Sequence, residues 1–293
     1  MNATEFQHKL VIQAQQDFNA AQIGFIEEIS SAINAKHKHA IAPNAVSLEG
    51  IADKQVGTQV NHELKARAFA LQLDLNILAS ERKLSDFKLV AMDMDSTLIT
   101  IECIDEIADM QGLKPQVAEI TEAAMRGEIE FQESLILRVA LLKGLDASAL
   151  QRVYDQRLQL SLGAEKMLQG VRDAGLKTLL VSGGFTFFTN HLKSRLKLDT
   201  THANTLEIID DKLTGRITGT IVDAQEKQAT VERVCQAMGI TAQQAIVMGD
   251  GANDLKMMSI AGLSLAFRAK PVVRTQANVA FNFVGLDGLL NLF

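Results

Sequence analysis

Cysteine is scarce in this sequence of 293 residues, which contains only Cys103 and Cys235. The two positions lie far apart along the chain, which argues against a disulfide scaffold and against a cysteine-ligated zinc site. Free thiols are typical of proteins that work in a reducing compartment. We therefore expect a cytoplasmic protein without disulfide bonds.

Clusters of basic residues and long apolar runs are also missing. Lysine and arginine number 29 against 35 aspartates and glutamates, which gives a formal net charge of −6. A surface that binds nucleic acid needs clustered Lys and Arg, so we expect no nucleic-acid partner. No uncharged apolar run reaches the about 20 residues of a membrane span, and residues 1–5 lack the features of a signal peptide. The sequence thus predicts a soluble protein without a membrane partner.

Length and composition predict two domains. Hydrophobic residues make up 47% of the chain, which is enough for a full core. The hydrophilic run Ser80–Lys83 marks a boundary between an N-terminal region, residues 1–84, and a second domain, residues 85–293. The N-terminal region contains no catalytic motif, and a regulatory role is the interpretation that remains open for it.

The N-terminal region has the apolar spacing of helices in three places. These predicted helices cover Phe6–Phe18, Ile23–Ile33 and Leu64–Leu75. A turn is predicted at Pro43-Asn44. The cluster His37-Lys38-His39 is typical of a solvated loop rather than of a metal site.

Strands alternate with helical patterns in the second domain. Four apolar runs have the length of buried strands: Phe87–Met92, Leu176–Val181, Ala245–Met248 and Leu263–Phe267. The segment Leu206–Ile221 has the pattern of a hairpin. Because alternating strands and helices build parallel sheets with helices on both faces, we predict an α/β fold with a Rossmann-like, doubly wound parallel sheet.

An all-helical insert interrupts this alternation between residue 101 and about residue 160. Pro115 suits a helix start, and a further helix is predicted from Phe131 to Lys143, ending at Gly144. The insert directly follows the loop of the first core strand, where a lid over a site would have to attach. We therefore predict a helical cap on the second domain.

Two aspartates end the first core strand. Residues two apart on a strand point to the same side, so Asp93 and Asp95 should face one place while Met94 faces away. Like charges about 4 Å apart repel by roughly 4 kcal/mol at a surface-like effective dielectric. A bound cation or a shared proton relieves this repulsion. The alternative is an ordinary Asp-Ser turn in which Asp95 caps a helix.

Polar residues follow two further core strands. Ser182-Gly183-Gly184 follows the second strand, and Asp250, Asn253 and Asp254 follow the third. The carboxyl ends of parallel strands share one rim, so these residues should converge with the aspartate pair. An oxygen-rich set without Cys or His favours Mg²⁺. Taken alone, the Ser-Gly-Gly segment is explained as a tight turn.

A cationic partner for an anion could come from Lys227. This residue lies early in the helix that precedes the third strand. A helix start with free N–H groups, a lysine and a metal surrounded by carboxylates together form a phosphoryl site. By itself, Lys227 is better explained as a surface lysine.

The ordered set of motifs resembles the haloacid dehalogenase superfamily of phosphohydrolases. The four motifs are Asp93-Met94-Asp95-Ser96-Thr97, Ser182, Lys227 and Gly249-Asp250-Gly251-Ala252-Asn253-Asp254. Within that superfamily, further segments are similar to the phosphoserine phosphatases: Ile101–Ala108, Met125-Arg126-Gly127, Phe131–Leu135, Arg138-Val139, Val181–Phe185 and Val222-Asp223-Ala224. The resemblance covers about residues 87–290 and implies a Rossmann-like core with a helical cap.

The resemblance also implies roles for individual residues. Asp93 is the expected nucleophile, which forms an aspartyl-phosphate, and Asp95 the expected general acid and base. One Mg²⁺ per site is expected on the Asp93 carboxylate, the Asp95 backbone carbonyl and Asp250, with Asp254 in a supporting position. The phosphoryl oxygens are expected to be held by Ser182, Gly183, Lys227 and Asn253.

Glu102 and Arg138 carry the implied choice of substrate. The resemblance assigns them to the ammonium and the carboxylate of O-phospho-L-serine, which would be hydrolysed to L-serine and phosphate in the last step of serine biosynthesis. Taken alone, Glu102 is explained as a helix N-terminal acid and Arg138 as a solvated or capping residue. The sequence leaves a homodimer open.

Three other interpretations compete with this one. The first is an enzyme of the same superfamily that acts on another phosphomonoester or transfers the phosphoryl group to another alcohol. The second is an amino-acid sensor without catalysis, against which the intact pair Asp93 and Asp95 argues. The third is a receiver domain phosphorylated on an aspartate, against which the helical insert and Asp95 argue.

Overall fold

The computed structural model describes residues 8–51, 60, 62–126 and 128–293. Residues 1–5, Phe6 and Gly127, on which some of the sequence predictions depend, lie outside the described residues. Two β-sheets are connected through a short 3-10 turn, Leu84–Asp86. No helix in the described ranges combines the length and the apolar character that crossing a membrane requires.

The first sheet is antiparallel and belongs to the N-terminal region. Its strands are β1 (His8–Gln13), β2 (His37–Ala42), β3 (Ala45–Ile51) and β4 (Asp74–Ala79), and its helices are α1 (Ala20–Ala32) and α2 (His62–Ala70). The spatial order is β2-β3-β1-β4. Leu10 and Ile12 of β1 pack with Phe25 and Ile29 of α1, so the helices cover one face of the sheet. A capping box between Asn19 and Gln22 starts α1.

The prediction of a helix over Phe6–Phe18 is wrong, because the described part of this segment forms strand β1. Its side chains alternate between two cores: Leu10 and Ile12 pack under the helices, whereas Val11 packs against the second domain. A strand buried on both faces has no alternation of polar and apolar residues. Its continuous apolar run cannot be distinguished by periodicity from a buried helix. The β-branched pair Val11-Ile12 fits the extended backbone.

Two other N-terminal predictions need correction. The cluster His37-Lys38-His39 is exposed, as expected of solvated residues, but it lies in edge strand β2 and not in a loop. The helix predicted over Leu64–Leu75 ends at Ala70, and Leu75 belongs to β4. The predicted helix over Ile23–Ile33 corresponds to α1, and Pro43-Asn44 forms the turn between β2 and β3.

The second sheet is the predicted parallel sheet. Its strands are β5 (Leu89–Met92), β6 (Lys177–Phe185), β7 (Thr200–Ile209), β8 (Lys212–Thr218), β9 (Ala245–Gly249), β10 (Leu263–Phe267) and β11 (Val279–Phe281). Its helices are α7 (Ala164–Asp173), α8 (Thr186–Leu196), α9 (Ala224–Ala237), α10 (Leu255–Ser259) and α11 (Pro271–Gln276). The strand order is β11-β10-β9-β5-β6-β7-β8, and all neighbours pair in parallel except β7 and β8.

The central strand β5 contributes side chains to two apolar cores, one on each face of the sheet. In β5, Val90 and Met92 pack into the core that includes α7 and α8, whereas Leu89 and Ala91 pack into the core that includes α9 and α10. All four side chains are fully buried. Helices on both faces of a parallel sheet confirm the predicted doubly wound α/β fold.

The first half of one strand of this sheet and the whole of another were not predicted. The first half of β7 pairs in parallel with β6 before the strand enters the predicted hairpin with β8. Strand β11 follows α11 and forms the opposite edge of the sheet. It has only three residues, too few for a periodic pattern to reveal.

The cap contains four helices between the first and second core strands. They are α3 (Cys103–Asp109), α4 (Lys114–Met125), α5 (Phe131–Ala140) and α6 (Ser148–Gln156). The backbone of the cap is hydrogen-bonded at its root and at its far end. Thr100 N donates to Gln159 O at the root of the insert, at 2.9 Å. At the far end, Gly144 N donates to Leu213 O and Leu213 N to Leu145 O, both at 2.8 Å, which joins the cap to the β7–β8 hairpin.

The N-terminal sheet docks on the edge of the core sheet through β4. Asp74 accepts four hydrogen bonds of 2.8–3.0 Å from the backbone N–H groups of residues 282–284 and the Asn282 side chain. Asn76 Oδ1 accepts from Ala280 N at 2.8 Å. Polar side chains of β4 therefore satisfy the free N–H groups of edge strand β11 and the chain that follows it, which would otherwise be open to pairing.

Candidate active site

The candidate site lies at the carboxyl ends of β9, β5 and β6, which are neighbours in the sheet. A cavity of about 830 Å³ opens there between the rim of the sheet and the cap. Its lining includes Asp93, Asp95, Asp250 and Gly183 from the core and Arg138 from the cap. The strand ends thus bring together the residues that the sequence analysis expected to converge.

A sharp turn after β5 presents both aspartates to this cavity. Asp93 and Asp95 line it, whereas Met94 between them is fully buried. The turn Met94–Leu98 contains Ser96 with φ of 55°, a left-handed conformation that is uncommon for a residue with a side chain. Ser96 Oγ donates to Glu102 Oε1 at 2.7 Å, so the turn also orients the first acidic residue of the cap.

Lys227 lies beneath the cavity between two aspartates. Its Nζ is 2.8 Å from Asp93 Oδ1 and 2.7 Å from Asp254 Oδ1, and the lysine is 0% exposed. Burial alone would lower the pKa of Lys227, but Asp254 and Asp93 raise it, so the ammonium stays charged. Asp254 also accepts from the N–H groups of Asp250 and Gly251, at 3.1 and 3.0 Å. Asp254 is therefore fully engaged in holding its neighbours.

Asp93 remains available for chemistry. Within the described residues, Oδ1 receives no well-aligned hydrogen bond, so its contact with Lys227 is an ion pair that leaves lone pairs free. Burial raises the pKa of Asp93 well above its usual range, Asp254 and Asp250 raise it further, and Lys227 opposes them. The three carboxylates of Asp93, Asp250 and Asp254 thus carry more negative charge than the single ammonium of Lys227 can balance.

Asp95 has the environment of a group that gives and takes a proton. Burial, followed by the negative charge of Glu102, raises the pKa of Asp95 to about 7. The N–H of Cys103 donates to Asp95 Oδ1 at 3.2 Å and opposes this rise. A carboxyl group with a pKa near neutral pH can serve as a general acid and as a general base.

The third carboxylate at the rim is Asp250. Burial and then Asp254 raise the pKa of Asp250 to about 7, and Thr97 Oγ1 donates to Oδ1 at 3.1 Å. Oxygen atoms of Asp93, Asp250 and Asp254 lie within 4.8 Å of one another. Converging carboxylates and the free lone pairs of Asp93 are what a site for a hard metal ion requires, and a cation would relieve the repulsion that helps to raise these pKa values. These residues could hold one.

Backbone groups at the end of β6 form another wall. Ser182 is 0% exposed, and its Oγ accepts from Gly184 N at 2.8 Å. Gly184 lies so close to the aspartates that a Cβ there would come within 2.7 Å of Asp95 Oδ2, and a Cβ on Gly183 would come within 3.2 Å of the Phe131 ring. Both glycines therefore allow close approach of the backbone to the cavity and the cap.

The cap supplies charged groups to the opposite side of the cavity. Arg138 is half-buried, and within the described residues its guanidinium makes one long hydrogen bond, from Nε to Ser134 O at 3.4 Å. Burial lowers the pKa of Arg138, although Asp105 and Glu102 raise it. Glu102 is exposed inside the cavity, yet the surrounding protein raises its pKa by desolvation. A guanidinium that is not paired with a carboxylate of the protein can bind the carboxylate of a ligand.

The predicted site residues fall into two groups. Asp93, Asp95, Glu102, Arg138, Gly183, Asp250 and Asn253 line the cavity. Ser182, Lys227 and Asp254 are fully buried just behind this lining and touch it through Gly184, Asp93 and Asp250.

Several residues that line the cavity were not predicted, and among them are the charged residues Asp105, Lys256 and Lys270. Asp105 lines the cavity with a raised pKa caused by burial, and within the described residues its Oδ1 has no hydrogen-bond partner. Lys270 and Lys256 bring positive charge to the rim. The signal for Asp105 was its place one helical turn after Glu102, on the same face of a helix that begins at the site.

One hydrogen bond crosses the mouth of the cavity. Gln132 Nε2 of α5 donates to Asp223 Oδ2 at 2.6 Å, and the other oxygen of Asp223 caps α9 by accepting from Glu226 N at 2.9 Å. In the described ranges, no other hydrogen bond joins α4 or α5 to the core rim. The start of α5 is therefore held against the rim next to Gly183.

Comparisons with known proteins agree with this geometry. A family model described as haloacid dehalogenase-like hydrolase matches residues 87–262. A phosphoserine phosphatase from Polaromonas sp. is 56% identical over 225 residues, which cover 75% of this chain and 95% of the relative. A phosphoserine phosphatase from Haemophilus influenzae is 47% identical over 222 residues, which cover 76% of this chain and 70% of the relative.

Solved structures extend the similarity to almost the whole chain. A HAD-family hydrolase from Salmonella enterica superposes with a TM-score of 0.87 at 33% identity, covering 97% of this chain and 98% of that one. A probable phosphoserine phosphatase from Vibrio cholerae has a TM-score of 0.81 at 34% identity, covering 98% of this chain and 86% of that one. The N-terminal sheet is therefore included in both superpositions.

Proposed function

This chain belongs to the haloacid dehalogenase-like hydrolases, and we propose that it is a phosphoserine phosphatase, which hydrolyses O-phospho-L-serine to L-serine and phosphate. The observation that carries the choice of substrate is that Glu102 and the Arg138 guanidinium line the same cavity as the aspartates of the rim, and that Arg138 forms no ion pair with a carboxylate within the described residues. Relatives named phosphoserine phosphatase, which are 40–56% identical, support it. In the cell this reaction is the last step of serine biosynthesis, and we assign it to the cytoplasm.

The first half of the reaction transfers the phosphoryl group to the enzyme. A carboxylate oxygen of Asp93 attacks phosphorus, and the bond between phosphorus and the serine oxygen breaks. Asp95 donates its proton to that leaving oxygen, so that serine departs as a neutral alcohol. The pKa of Asp95 near 7 supports this role, because the carboxyl group is substantially protonated at neutral pH.

The second half releases phosphate. Asp95, now a carboxylate, takes a proton from a water molecule as the water oxygen attacks phosphorus. The bond between phosphorus and the Asp93 oxygen breaks, which restores the carboxylate of Asp93 and the proton on Asp95. The same residue thus serves first as acid and then as base, because the group that has lost its proton in the first step can accept one in the second.

One Mg²⁺ per site would be held by the carboxylates of Asp93 and Asp250 and the backbone carbonyl of Asp95. Asp254 would support it by fixing Asp250 and Gly251. When bound, Mg²⁺ supplies positive charge that stabilises the phosphoryl oxygens in the transition state. The all-oxygen donor set and the raised pKa values of Asp93 and Asp250 support this assignment.

Four groups would hold the phosphoryl oxygens: Ser182, the Gly183 amide, Lys227 and Asn253. Lys227 touches Asp93, so a phosphoryl group on that residue would lie next to the ammonium. Ser182 Oγ already accepts a hydrogen bond from Gly184, which leaves its proton free to donate. Donors fixed in advance stabilise developing charge without reorganisation.

A phosphate-release assay over a panel of substrates tests the proposal. The panel should contain O-phospho-L-serine, O-phospho-L-threonine, glycerol phosphate and an aryl phosphate, with Mg²⁺ present. We expect the highest kcat/KM for O-phospho-L-serine, because glycerol phosphate lacks both the ammonium and the carboxylate. Equal hydrolysis of glycerol phosphate and phosphoserine would contradict the substrate assignment while leaving the phosphatase chemistry in place.

A further inference from the structure

The end of β6 departs from regular pairing with β7. Ser182 is opposite Ala203, and the next pair along the ladder is Phe185 with Asn204. Gly183 and Gly184 therefore bulge out of the sheet at the rim of the cavity. A bulge leaves backbone groups without ladder partners, and buried groups of this kind need other partners.

The side chain of Asn204 supplies partners on both sides of the bulge. Its Nδ2 donates to Gly183 O at 2.7 Å, and its Oδ1 accepts from Val222 N at 2.8 Å. The side chain is 1% exposed. These two bonds fix the orientation of the amide, since the flipped amide would place donor against donor and acceptor against acceptor.

One bond of Asn204 leads to Ser182. The peptide between Gly183 and Gly184 is held at its carbonyl by Asn204 and at its N–H by Ser182 Oγ, at 2.8 Å. Bonds in such a chain polarise and orient one another. The position of the Ser182 hydroxyl therefore depends on the amide of Asn204.

The other bond leads to Lys227. Val222 directly precedes Asp223, whose Oδ1 caps helix α9 through Glu226 N. Lys227 lies in the first turns of α9 and contacts Asp93. Asn204 thus connects the segment that carries Ser182 and Gly183 to the segment that carries Lys227.

We infer that Asn204 is a positioning residue for phosphate: it sets the distance between Ser182 and Gly183 on one side and Lys227 on the other. It acts through these groups and does not touch the substrate. The inference deepens the proposed function and rests on it, because it concerns the groups assigned to the phosphoryl oxygens.

The test compares Asn204→Asp with the wild type in the Mg²⁺-loaded enzyme. Aspartate keeps the acceptor for Val222 N but replaces the donor to Gly183 O with a second oxygen. Hydrolysis of an aryl phosphate gives kcat, and inorganic phosphate and L-serine are titrated as competitive inhibitors. We expect kcat to fall by about 10- to 100-fold, since small displacements of positioned groups cost rates of this order. Relative to the wild type, the Ki of phosphate should rise roughly 10-fold and the Ki of L-serine should stay within about 2-fold. Only the groups assigned to the phosphoryl oxygens, Ser182, Gly183 and Lys227, are displaced.

Asn76→Asp is the control for burying an aspartate at an asparagine position. Asn76 is also a buried asparagine whose Oδ1 accepts from a backbone N–H, that of Ala280 at 2.8 Å, but it lies in the N-terminal sheet away from the cavity. Both variants should have a lower Tm, and only Asn204→Asp should have a changed kcat and phosphate Ki. If Asn204→Asp does not fold, Asn204→Ser is measured in its place, with the same expectation.

Three outcomes overturn the inference. The first is an Asn204 variant with wild-type kcat and phosphate Ki. The second is an equal loss of phosphate and L-serine affinity, which indicates general disruption of the cavity. The third is the same kinetic loss in Asn76→Asp. A wild type that does not hydrolyse phosphoserine would refute the proposed substrate, and the inference at Asn204 would then be judged by kcat for the aryl phosphate and the phosphate Ki alone.

Discussion

The ammonium of Lys227 lies 2.8 Å from the carboxylate of Asp93, and both groups are almost completely buried. Together with Asp254 they form a triad in which one cation serves two anions. A buried charge that loses its partner is far more costly than an exposed one. Removing the cation would therefore destabilise the fold, and Lys227 holds the proposed nucleophile in place.

Lys227→Met should damage stability and activity together. The substitution leaves Asp93 and Asp254 without their cation, which typically costs about 3–5 kcal/mol of the free energy of unfolding. Denaturant unfolding measures this cost, and kcat should fall by about 100-fold or more. The control is Lys166→Met, which removes an exposed ion pair of 3.0 Å with Asp287 and should cost less than about 1 kcal/mol. Equal costs in the two variants would argue against the triad.

Asp93→Asn should abolish turnover, since an amide is a poor nucleophile and a poor ligand for Mg²⁺. Mass spectrometry of acid-quenched wild-type enzyme should detect phosphate on the peptide that contains Asp93, and the variant should show none. A chelator should stop wild-type turnover, and added Mg²⁺ should restore it. Full activity in excess chelator would refute a metal-dependent mechanism.

Arg138→Ala should weaken kcat/KM for phosphoserine by tens- to thousands-fold, because losing one partner of a desolvated charged hydrogen bond costs on the order of 2–5 kcal/mol. Glu102→Gln should act in the same direction through the ammonium. Hydrolysis of an aryl phosphate, which lacks both groups, should barely change. Arg152→Ala is the control, because Arg152 is an exposed cap residue that bonds Ser148 Oγ. Unchanged phosphoserine kinetics in both site variants would make the assigned recognition wrong.

The carboxyl groups with raised pKa values should make the metal-free protein less stable as the pH rises. Asp95 and Asp250, with pKa values of about 7, hold protons between about pH 4 and 7 that the unfolded chain has released. Their contribution to stability is therefore complete at low pH and is lost as the pH approaches 7. In chelator, the difference in Tm between Asp95→Asn and wild type should shift in favour of the variant from pH 5 to pH 8. A difference that is independent of pH would contradict the raised pKa of Asp95.

Asp74→Asn should loosen the junction between the two sheets. An amide presents an NH₂ group to backbone N–H donors that now meet a carboxylate oxygen. Losing the partner of buried polar groups costs about 1–3 kcal/mol, which thermal unfolding should detect. Wild-type kcat in the folded variant is expected, because the junction lies away from the cavity. A Tm equal to that of the wild type would show that the contact is not stabilising.

A chain shortened to begin at Leu84 extends this prediction. All predicted site residues lie after residue 86, so we expect phosphatase activity in its folded fraction. Without Asp74 and Asn76, however, the N–H groups of Ala280 in β11 and of residues 282–284 after it are uncovered. Such an edge promotes association, which light scattering would measure. Loss of kcat in a folded monomer would mean that the N-terminal sheet contributes to chemistry.

The core and its rim were predictable because local pattern and chemistry agreed. A short run that is apolar throughout, such as Leu89–Met92, indicates a central strand of a parallel sheet. The aspartates Asp93 and Asp95 follow directly after this run. Topology then brings the polar residues together without further information. The pattern of motifs therefore defined the fold and most of the cavity lining.

Contacts between distant segments were not predictable in the same way. The sequence of strand β1 was mistaken for a helix because the neighbouring residues Leu10 and Val11 are both apolar, and they are buried in different cores. Lys227 looks like a surface lysine in sequence, and only the fold buries it against Asp93. Asn204 carries no local signal, since both its partners are backbone groups elsewhere in the chain. Side chains that pair with distant backbone are visible only in three dimensions.

The cap is held at three separate places. Thr100 and Gln159 join at its root, Gly144 and Leu145 bond the β7–β8 hairpin at its far end, and Gln132 at the start of α5 donates to Asp223 beside the cavity. The far end is held by backbone hydrogen bonds, whereas the start of α5 is held to the rim by one side-chain hydrogen bond. Opening the mouth of the cavity beside Phe131 therefore requires the bond between Gln132 and Asp223 to break, while the end of α5 stays joined to the hairpin.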